Sequence, residues 1–269
     1  MSEDSPVHQF TVENIVVQVF DDKEALGRAA ADFVATRLRQ ALTERGEATV
    51  ILATGVSQFE FLAALRQAPG VAWTRVTAFH LDEYLGLPAG HPASFRRYLR
   101  ERLFDHLPFG AVHLLAGDTP DPEAECGRYA ALLAGQTIDV ACVGIGENGH
   151  LAFNDPPADF STPNLVHVVT LDEACRRQQV GEGHFAALEE VPPRALSLSV
   201  PAILAARTIS CIAPDRRKAE AVRRALEGPV SPDCPASALR QHDACRLYLD
   251  VHSAALLSPA TVGPAPWTS

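Results

Sequence analysis

Short apolar runs alternate with helical stretches along almost the whole chain, and this alternation restricts the fold more than any other feature. Asn14-Ile-Val-Val-Gln-Val-Phe20, Ala48-Thr-Val-Ile-Leu-Ala53, Arg75-Val-Thr-Ala-Phe-His-Leu81 and Ile138-Asp-Val-Ala-Cys-Val143 read as strands bounded by turn residues. Leu165 to Leu171, Arg207 to Ala213 and Arg246 to Asp250 continue the series. Asp21 or Asp22 caps a helix to about Arg45, whose Ala25, Leu26, Ala29, Ala30, Phe33, Val34, Leu38 and Leu42 recur at helical spacing. Further helices are predicted over 59–66, 94–107, 121–135, 215–227 and 235–239, the one at 215–227 closing at Gly228-Pro229. The polar stretch 172–190 reads as a helix with a mobile tip at Gly181-Glu-Gly183. Strands alternating with helices predict an α/β fold: one Rossmann-like domain over 1–269, doubly wound, with a mostly parallel sheet and helices on both faces. Residues 1–12 and 259–269 are expected to be loose tails.

Composition narrows the function classes. A formal net charge of −10 argues against nucleic acid as a partner, because a phosphate backbone would be repelled. An anionic small molecule is compatible with it, since a few local cations hold one phosphate. No apolar run approaches the roughly 20 residues that span a bilayer, so no membrane partner is expected. The start, Met-Ser-Glu-Asp-Ser-Pro, is acidic and polar, unlike a signal peptide, which makes the cytoplasm the expected compartment. The six cysteines are scattered without Cys-x-x-Cys spacing, so they read as reduced structural thiols and not as metal ligands. No His-Glu-x-x-His cluster is present, so a metal is not required.

Three strand exits carry the candidate chemistry. The richest is Val143-Gly-Ile-Gly-Glu-Asn-Gly-His-Leu-Ala-Phe-Asn-Asp-Pro-Pro157, where glycines surround Asn148, His150 and Asp155 at the end of an apolar run. It reads either as an acid/base centre at a sheet edge or as a glycine-rich loop with a surface histidine. Thr54-Gly-Val-Ser-Gln58 joins a strand to a helix, where free amides and the hydroxyls of Thr54 and Ser57 suit an anion; Ser57 also has the plainer reading of a helix cap. Asp82 follows the 75–81 strand and should reach the same edge as His150, as a proton-transferring base or as the cap of the next turn. There is no Gly-x-Ser-x-Gly elbow for a serine hydrolase.

These stretches, with Phe79-His-Leu-Asp-Glu-Tyr-Leu-Gly-Leu-Pro88, Val191-Pro-Pro-Arg-Ala-Leu-Ser-Leu-Ser-Val200, Asp215-Arg-Arg-Lys-Ala219 and Pro235-Ala-Ser-Ala-Leu-Arg-Gln-His242, resemble the glucosamine-6-phosphate deaminase/isomerase family in the same order over nearly the whole chain. The resemblance implies that Asp82 moves a proton between C1 and C2 of an open-chain sugar phosphate. His150 would open the ring, with Asp155 orienting its imidazole and Asn148 beside it. Thr54, Gly55 and Ser57 would hold the phosphate, and Lys218 would add a positive charge. The implied reaction yields fructose 6-phosphate and ammonia without a cofactor; the implied partner is a small sugar phosphate, and a homo-oligomer is compatible with the sequence. Alternatives are a galactosamine-6-phosphate deaminase/isomerase, a 6-phosphogluconolactonase-like hydrolase and a non-catalytic sugar-phosphate sensor. Tyr84 and Phe153-Asn154 speak against the hydrolase, and the intact Asp82–His150 pair against the sensor. Three positions depart from the family pattern: Asn148 where many members have Asp, Asp155 where Glu is usual, and the 172–185 segment, which lacks the Asn-x-Arg-Phe-Phe context of a phosphate-binding arginine. Arg176 and Arg177 are the candidates to replace it, the alternative being ordinary exposed helix arginines.

Overall fold

The computed structural model describes residues 5–265. Eight strands form the main sheet: β1 (His8–Val12), β2 (Ile15–Phe20), β3 (Ala48–Leu52), β4 (Val76–His80), β6 (Ala111–His113), β7 (Val140–Gly144), β10 (Ile209–Ile212) and β11 (Cys245–Asp250). Their order is β1-β2-β11-β10-β7-β3-β4-β6, antiparallel between β1 and β2 and parallel elsewhere. β3 leads outward to β4, whereas β7 leads the other way to β10 and β11. The winding therefore reverses between β3 and β7, which is where open α/β sheets leave a crevice at the carboxyl ends of their strands.

Side chains alternate along these strands, so each face has its own core. Val50, Leu52, Val140, Cys142 and Ile212 pack on one face with α1 (Lys23–Arg45) and α2 (Phe59–Arg66), through Leu26, Val34, Leu38, Phe61 and Leu65. Ile51, Ala141, Val143 and Cys211 pack on the other with α4 (Pro122–Ala134), α6 (Val200–Leu204) and α7 (Ala219–Glu227), through Tyr129, Leu133, Ile203, Val222 and Leu226. The fold is thus the α/β arrangement expected, with a mostly parallel sheet covered on both sides. Asp22, rather than Asp21, caps α1, its Oδ1 accepting from the Ala25 amide at 2.7 Å. All six cysteines are free and buried. No helix among the described residues is long and apolar enough to cross a membrane.

Several features depart from the sequence reading, among them the short β6 and α6, and two matter most. The first is a separate antiparallel sheet, in the order β5-β9-β8, made of β5 (Asp82–Tyr84), β9 (Arg194–Leu198) and β8 (Val166–Thr170). A three-residue strand has no periodicity to reveal it. Its Tyr84 is buried with Phe95, Phe153 and Phe185 in a cluster of its own, and its backbone pairs with β9. The second concerns the ends. Residues 8–12 form β1 against β2, and α8 (Pro259–Val262) buries Val262, whose carbonyl lies 2.6 Å from Nε2 of His8. The loose tails thus shrink from both sides, and 1–4 and 266–269 lie outside the described residues. The helix expected over 94–107 is α3 (Phe95–Leu99) continued by a wider turn over 100–104. The 172–190 stretch becomes α5 (Glu173–Gly181) and a short turn at 188–190.

Candidate active site

The crevice between β3 and β7 is a real cavity of about 520 Å³ including its open mouth, lined by Thr54, Gly55, Ser57, Asp82, His150 and Lys218 among others. One wall is the turn after β3. Gly55 sits at φ +99°, ψ 168°, a conformation open to glycine and costly for other residues, and it aims the following one-turn helix, Val56–Gln58, at the cavity ahead of α2. Tyr98 from α3 braces the turn by donating to the Gly55 carbonyl at 2.8 Å. Ser57 does not cap α2, which has no side-chain cap; its Oγ instead accepts from Gln58 at 3.1 Å. The cap reading of Ser57 therefore does not hold.

The turn after β10 repeats this backbone form. Asp215 takes the left-handed φ of +92°, the one-turn helix Arg216–Lys218 follows, and α7 begins at Ala219. A non-glycine residue is strained there. It is held by its amide donating to Asp250 Oδ2 at 3.0 Å and by Lys23 on its carboxylate at 3.0 Å. The turn carries Lys218 inward until its side chain is only 4% exposed. Burial pulls the Lys218 amine below its usual range, against the carboxylates of Glu182 and Glu147, which favour its charge.

The Asp82-Glu83 pair divides its labour across β5. Glu83 points away from the cavity and takes hydrogen bonds from the amides of Tyr84, Phe95 and Arg96, from Ser94 Oγ at 2.7 Å and from Arg96 Nε at 3.2 Å. It ties the start of α3 to β5. Asp82 lines the cavity, and burial, followed by the charge of Glu83, pushes its carboxyl well above the ordinary range. The cap reading of Asp82 therefore falls to its neighbour. His80, two residues before, is a structural histidine. Its Nε2 accepts from the Leu115 amide at 2.7 Å, and burial, with the Arg96 charge, lowers its pKa to about 3, so it stays neutral.

His150 enters from the loop after β7. Gly146 is needed there for space: a Cβ on it would lie 2.3 Å from the imidazole. Asn148 accepts from the His150 amide at 3.0 Å and donates at 3.0 Å to both Asp155 and Asp172. Asp155 Oδ1 stands 3.2 Å from His150 Nδ1, at an angle short of a good hydrogen bond, and Oδ2 accepts from the Asp172 amide at 2.9 Å. Burial alone would raise the Asp155 carboxyl, but His150, the Asp172 amide and Asn148 outweigh it and hold it low. Neither Asn148 nor Asp155 lines the cavity; both stand behind it, against His150 and against Asp172 at the start of the following helix. Asn154 fixes the same loop to β9 by donating to the Leu198 carbonyl at 2.8 Å.

Arg176 and Arg177 do not reach the cavity. The α5 helix turns Arg176 toward the carbonyls of Leu188 and Val191, to which it donates at 2.6 and 3.0 Å. Arg177 is exposed and bonded through Nε to Glu173 at 2.8 Å, one helical turn back. The same helix instead presents Gln178 and Gln179, and Glu182 beyond its end, to the cavity. Sequence reasoning passed over these three. Their signal was the i, i+4 spacing of Gln178 and Glu182, which are bonded at 2.8 Å.

Comparison with known proteins agrees with this arrangement. Residues 21–248 match the family model of glucosamine-6-phosphate isomerases/6-phosphogluconolactonase. The chain is 39% identical to a glucosamine-6-phosphate deaminase of Exiguobacterium sibiricum over 222 residues, 82% of this chain and 86% of that one. It is 35% identical to one of Lactobacillus delbrueckii subsp. bulgaricus, over 89% of this chain and 98% of that one. Among solved structures, a monomeric glucosamine-6-phosphate deaminase of the NagB superfamily superposes with TM-score 0.82 at 34% identity, covering 89% of this chain and 99% of that one. The 6-phosphogluconolactonase of Thermotoga maritima shares the fold, with TM-score 0.72 at 20% identity over 88% of this chain and 99% of that one. A family match across most of the chain, with close relatives over nearly its full length, means that the protein belongs to the glucosamine-6-phosphate isomerase/6-phosphogluconolactonase family.

Proposed function

We propose that this protein is a glucosamine-6-phosphate deaminase, an enzyme that converts glucosamine 6-phosphate to fructose 6-phosphate and ammonia in the cytoplasmic catabolism of amino sugars. The observation that carries the reading is the convergence of a buried carboxyl (Asp82), an imidazole (His150), the strand-to-helix turn Thr54 to Ser57 and Lys218 on one cavity. The amides and hydroxyls of Thr54, Gly55 and Ser57 receive the phosphate at the helix terminus, and Lys218 adds charge. His150 protonates the ring oxygen, and the sugar opens to its C1 aldehyde. That carbonyl acidifies the C2 hydrogen: Asp82 removes it as O1 takes up a proton, and then returns its proton to C1 of the enolamine as the C2 nitrogen gives one up. The product of this shift is a C2 imine, which water hydrolyses to the ketone and ammonia. No cofactor enters any step. Asp155 and Asn148 are positioning residues that hold His150 in one orientation.

A raised carboxyl suits this work, since a base nearer the working pH transfers protons in both directions. The test is release of ammonia and fructose 6-phosphate from glucosamine 6-phosphate by the purified protein. Asp82→Asn should bind the substrate and lose about 10²–10⁴-fold in turnover. Hydrolysis of 6-phosphogluconolactone, with no ammonia from glucosamine 6-phosphate or its C4 epimer, would overturn the proposal.

A further inference from the structure

The phosphate end of the cavity contains a charge that works against phosphate. Glu182, just past α5, has its side chain only 4% exposed and lines the cavity, with its Oε1 3.8 Å from Lys218 Nζ. Its Oε2 lies 3.7 Å from where a Cβ on Gly55 would stand, so the carboxylate faces the turn that offers its amides to an anion. Gln178 donates to Oε1 at 2.8 Å, and His184 Nε2 lies 3.6 Å from Oε2. Glycines on both sides, Gly181 and Gly183, leave the backbone free to place it there, Gly183 at φ +79°. Lys218 is the lysine or arginine that lines the cavity among the described residues, and Glu182 cancels its charge.

We propose that Glu182 is the specificity-determining residue of the anion end: by neutralising Lys218 it makes the site select a sugar phosphate whose phosphate carries one negative charge rather than two. The inference rests on the function proposed above for the location of the phosphate. A phosphate monoester loses its second proton near pH 6, so the two forms exchange within the working range. A dianion placed against Lys218 would also meet the Glu182 carboxylate at close range, where two like charges repel strongly. A monoanion can donate its remaining proton to Glu182 and accept from Lys218 and the turn. The charged and titratable groups around Glu182 are Lys218 and, behind it, Arg217 and Glu147, with His184 on its own segment and Tyr98 and Tyr84 from α3 and β5. Of these, His184 is the imidazole in contact range of Glu182. A His184→Gln variant therefore separates any contribution of the imidazole from that of the phosphate.

The experiment measures binding by calorimetry at pH 6.0 and 8.5 in the native protein, Glu182→Gln and His184→Gln: of inorganic phosphate to each as it stands, and of glucosamine 6-phosphate to each in an Asp82→Asn background, where turnover is blocked. Glutamine keeps the size and hydrogen bonding of Glu182 and removes its charge. The native protein and His184→Gln should bind both ligands at least tenfold more weakly at pH 8.5 than at pH 6.0. Glu182→Gln should bind them at least tenfold more tightly than the native protein at pH 8.5, with the difference between the two pH values largely gone. Unchanged or weaker binding in Glu182→Gln at both pH values would overturn the proposal and leave Glu182 as a brace for Lys218. A pH dependence that persists in Glu182→Gln would overturn it by assigning the effect to Lys218. A dependence lost in His184→Gln would overturn it by assigning the effect to His184. Because binding is read without turnover, absence of ammonia release would count against the proposed reaction and leave this result standing.

Discussion

The two ends of the cavity each hold a buried carboxylic acid, and their surroundings drive the two in opposite directions. Asp82 stands on β5 with Glu83 as its charged neighbour. Burial and that second carboxylate both disfavour its ionised form, so its carboxyl lies well above the usual range. Glu182 stands beside Lys218. Burial again opposes ionisation there, but the nearby His184, the Lys218 charge and the Gln178 hydrogen bond outweigh it and hold the carboxyl below its usual range. Burial opposes ionisation of both, yet one carboxyl is pushed up and the other is held down as a negative charge. What separates them is the partner set, and pairs of acids pushed apart in this way mark a division of roles.

The largest effect tests the Asp82 end. Asp82→Asn should abolish most turnover, as above, and should also make the protein more stable at neutral and alkaline pH. A carboxyl whose folded pKa exceeds its unfolded value contributes its stability below the unfolded pKa, near 3.9, and loses it as pH rises through the folded pKa. The native protein therefore carries a cost at pH 8 that the amide lacks. A gain of about 0.5–2 kcal/mol in urea unfolding at pH 8, shrinking toward zero near pH 4, is the expected result. Equal stability at both pH values would mean that Asp82 is not destabilised by its site.

A second, smaller effect lies one step behind the cavity. Asp155→Asn removes the charge facing His150 and should cost about 10²-fold in kcat, through misplacement of the imidazole, with little change in KM. The stability sign is opposite to that of Asp82. The Asp155 carboxyl is held low in the folded protein, so its contribution is present above about pH 4 and lost as pH falls through its folded value. The variant should be less stable than the native protein at pH 7, and the two should converge in acid. A large rise in KM instead would place Asp155 in contact with substrate.

Much of this was legible in the chain. The parallel strands β2, β3, β4, β7, β10 and β11 announced themselves because strands buried on both faces are continuous apolar runs, and α1 because its apolar spacing persists for six turns. The three strand exits were legible too, since glycines and polar residues directly after such runs can only lie at the sheet edge. The small antiparallel sheet was not. β5 is Asp-Glu-Tyr, whose burial comes from β9 and from aromatics distant in sequence. Nor was the content of the phosphate end, because which face of α5 meets the cavity depends on how that helix docks. Arg176 and Arg177 had the right chemistry on the wrong faces, and Glu182 had the wrong charge in the right place.

The smallest effects, at those two arginines, set a limit on the comparison. Arg176 satisfies two backbone carbonyls, so Arg176→Ala should cost about 1–3 kcal/mol in urea unfolding through lost hydrogen bonds to part-buried groups. Arg177 holds an exposed pair with Glu173, and Arg177→Ala should change stability by no more than about 0.5 kcal/mol. Neither should change KM for glucosamine 6-phosphate by more than about twofold, within ordinary additivity for distant sites. A tenfold rise in KM on Arg177→Ala would mean that α5 rotates when substrate arrives and brings a guanidinium to the phosphate. Glu182 would then leave Lys218 in the bound state, and the opposition between the two acids would hold only for the empty cavity. An unchanged KM keeps α5 where it is, with Lys218 and Glu182 facing the phosphate together.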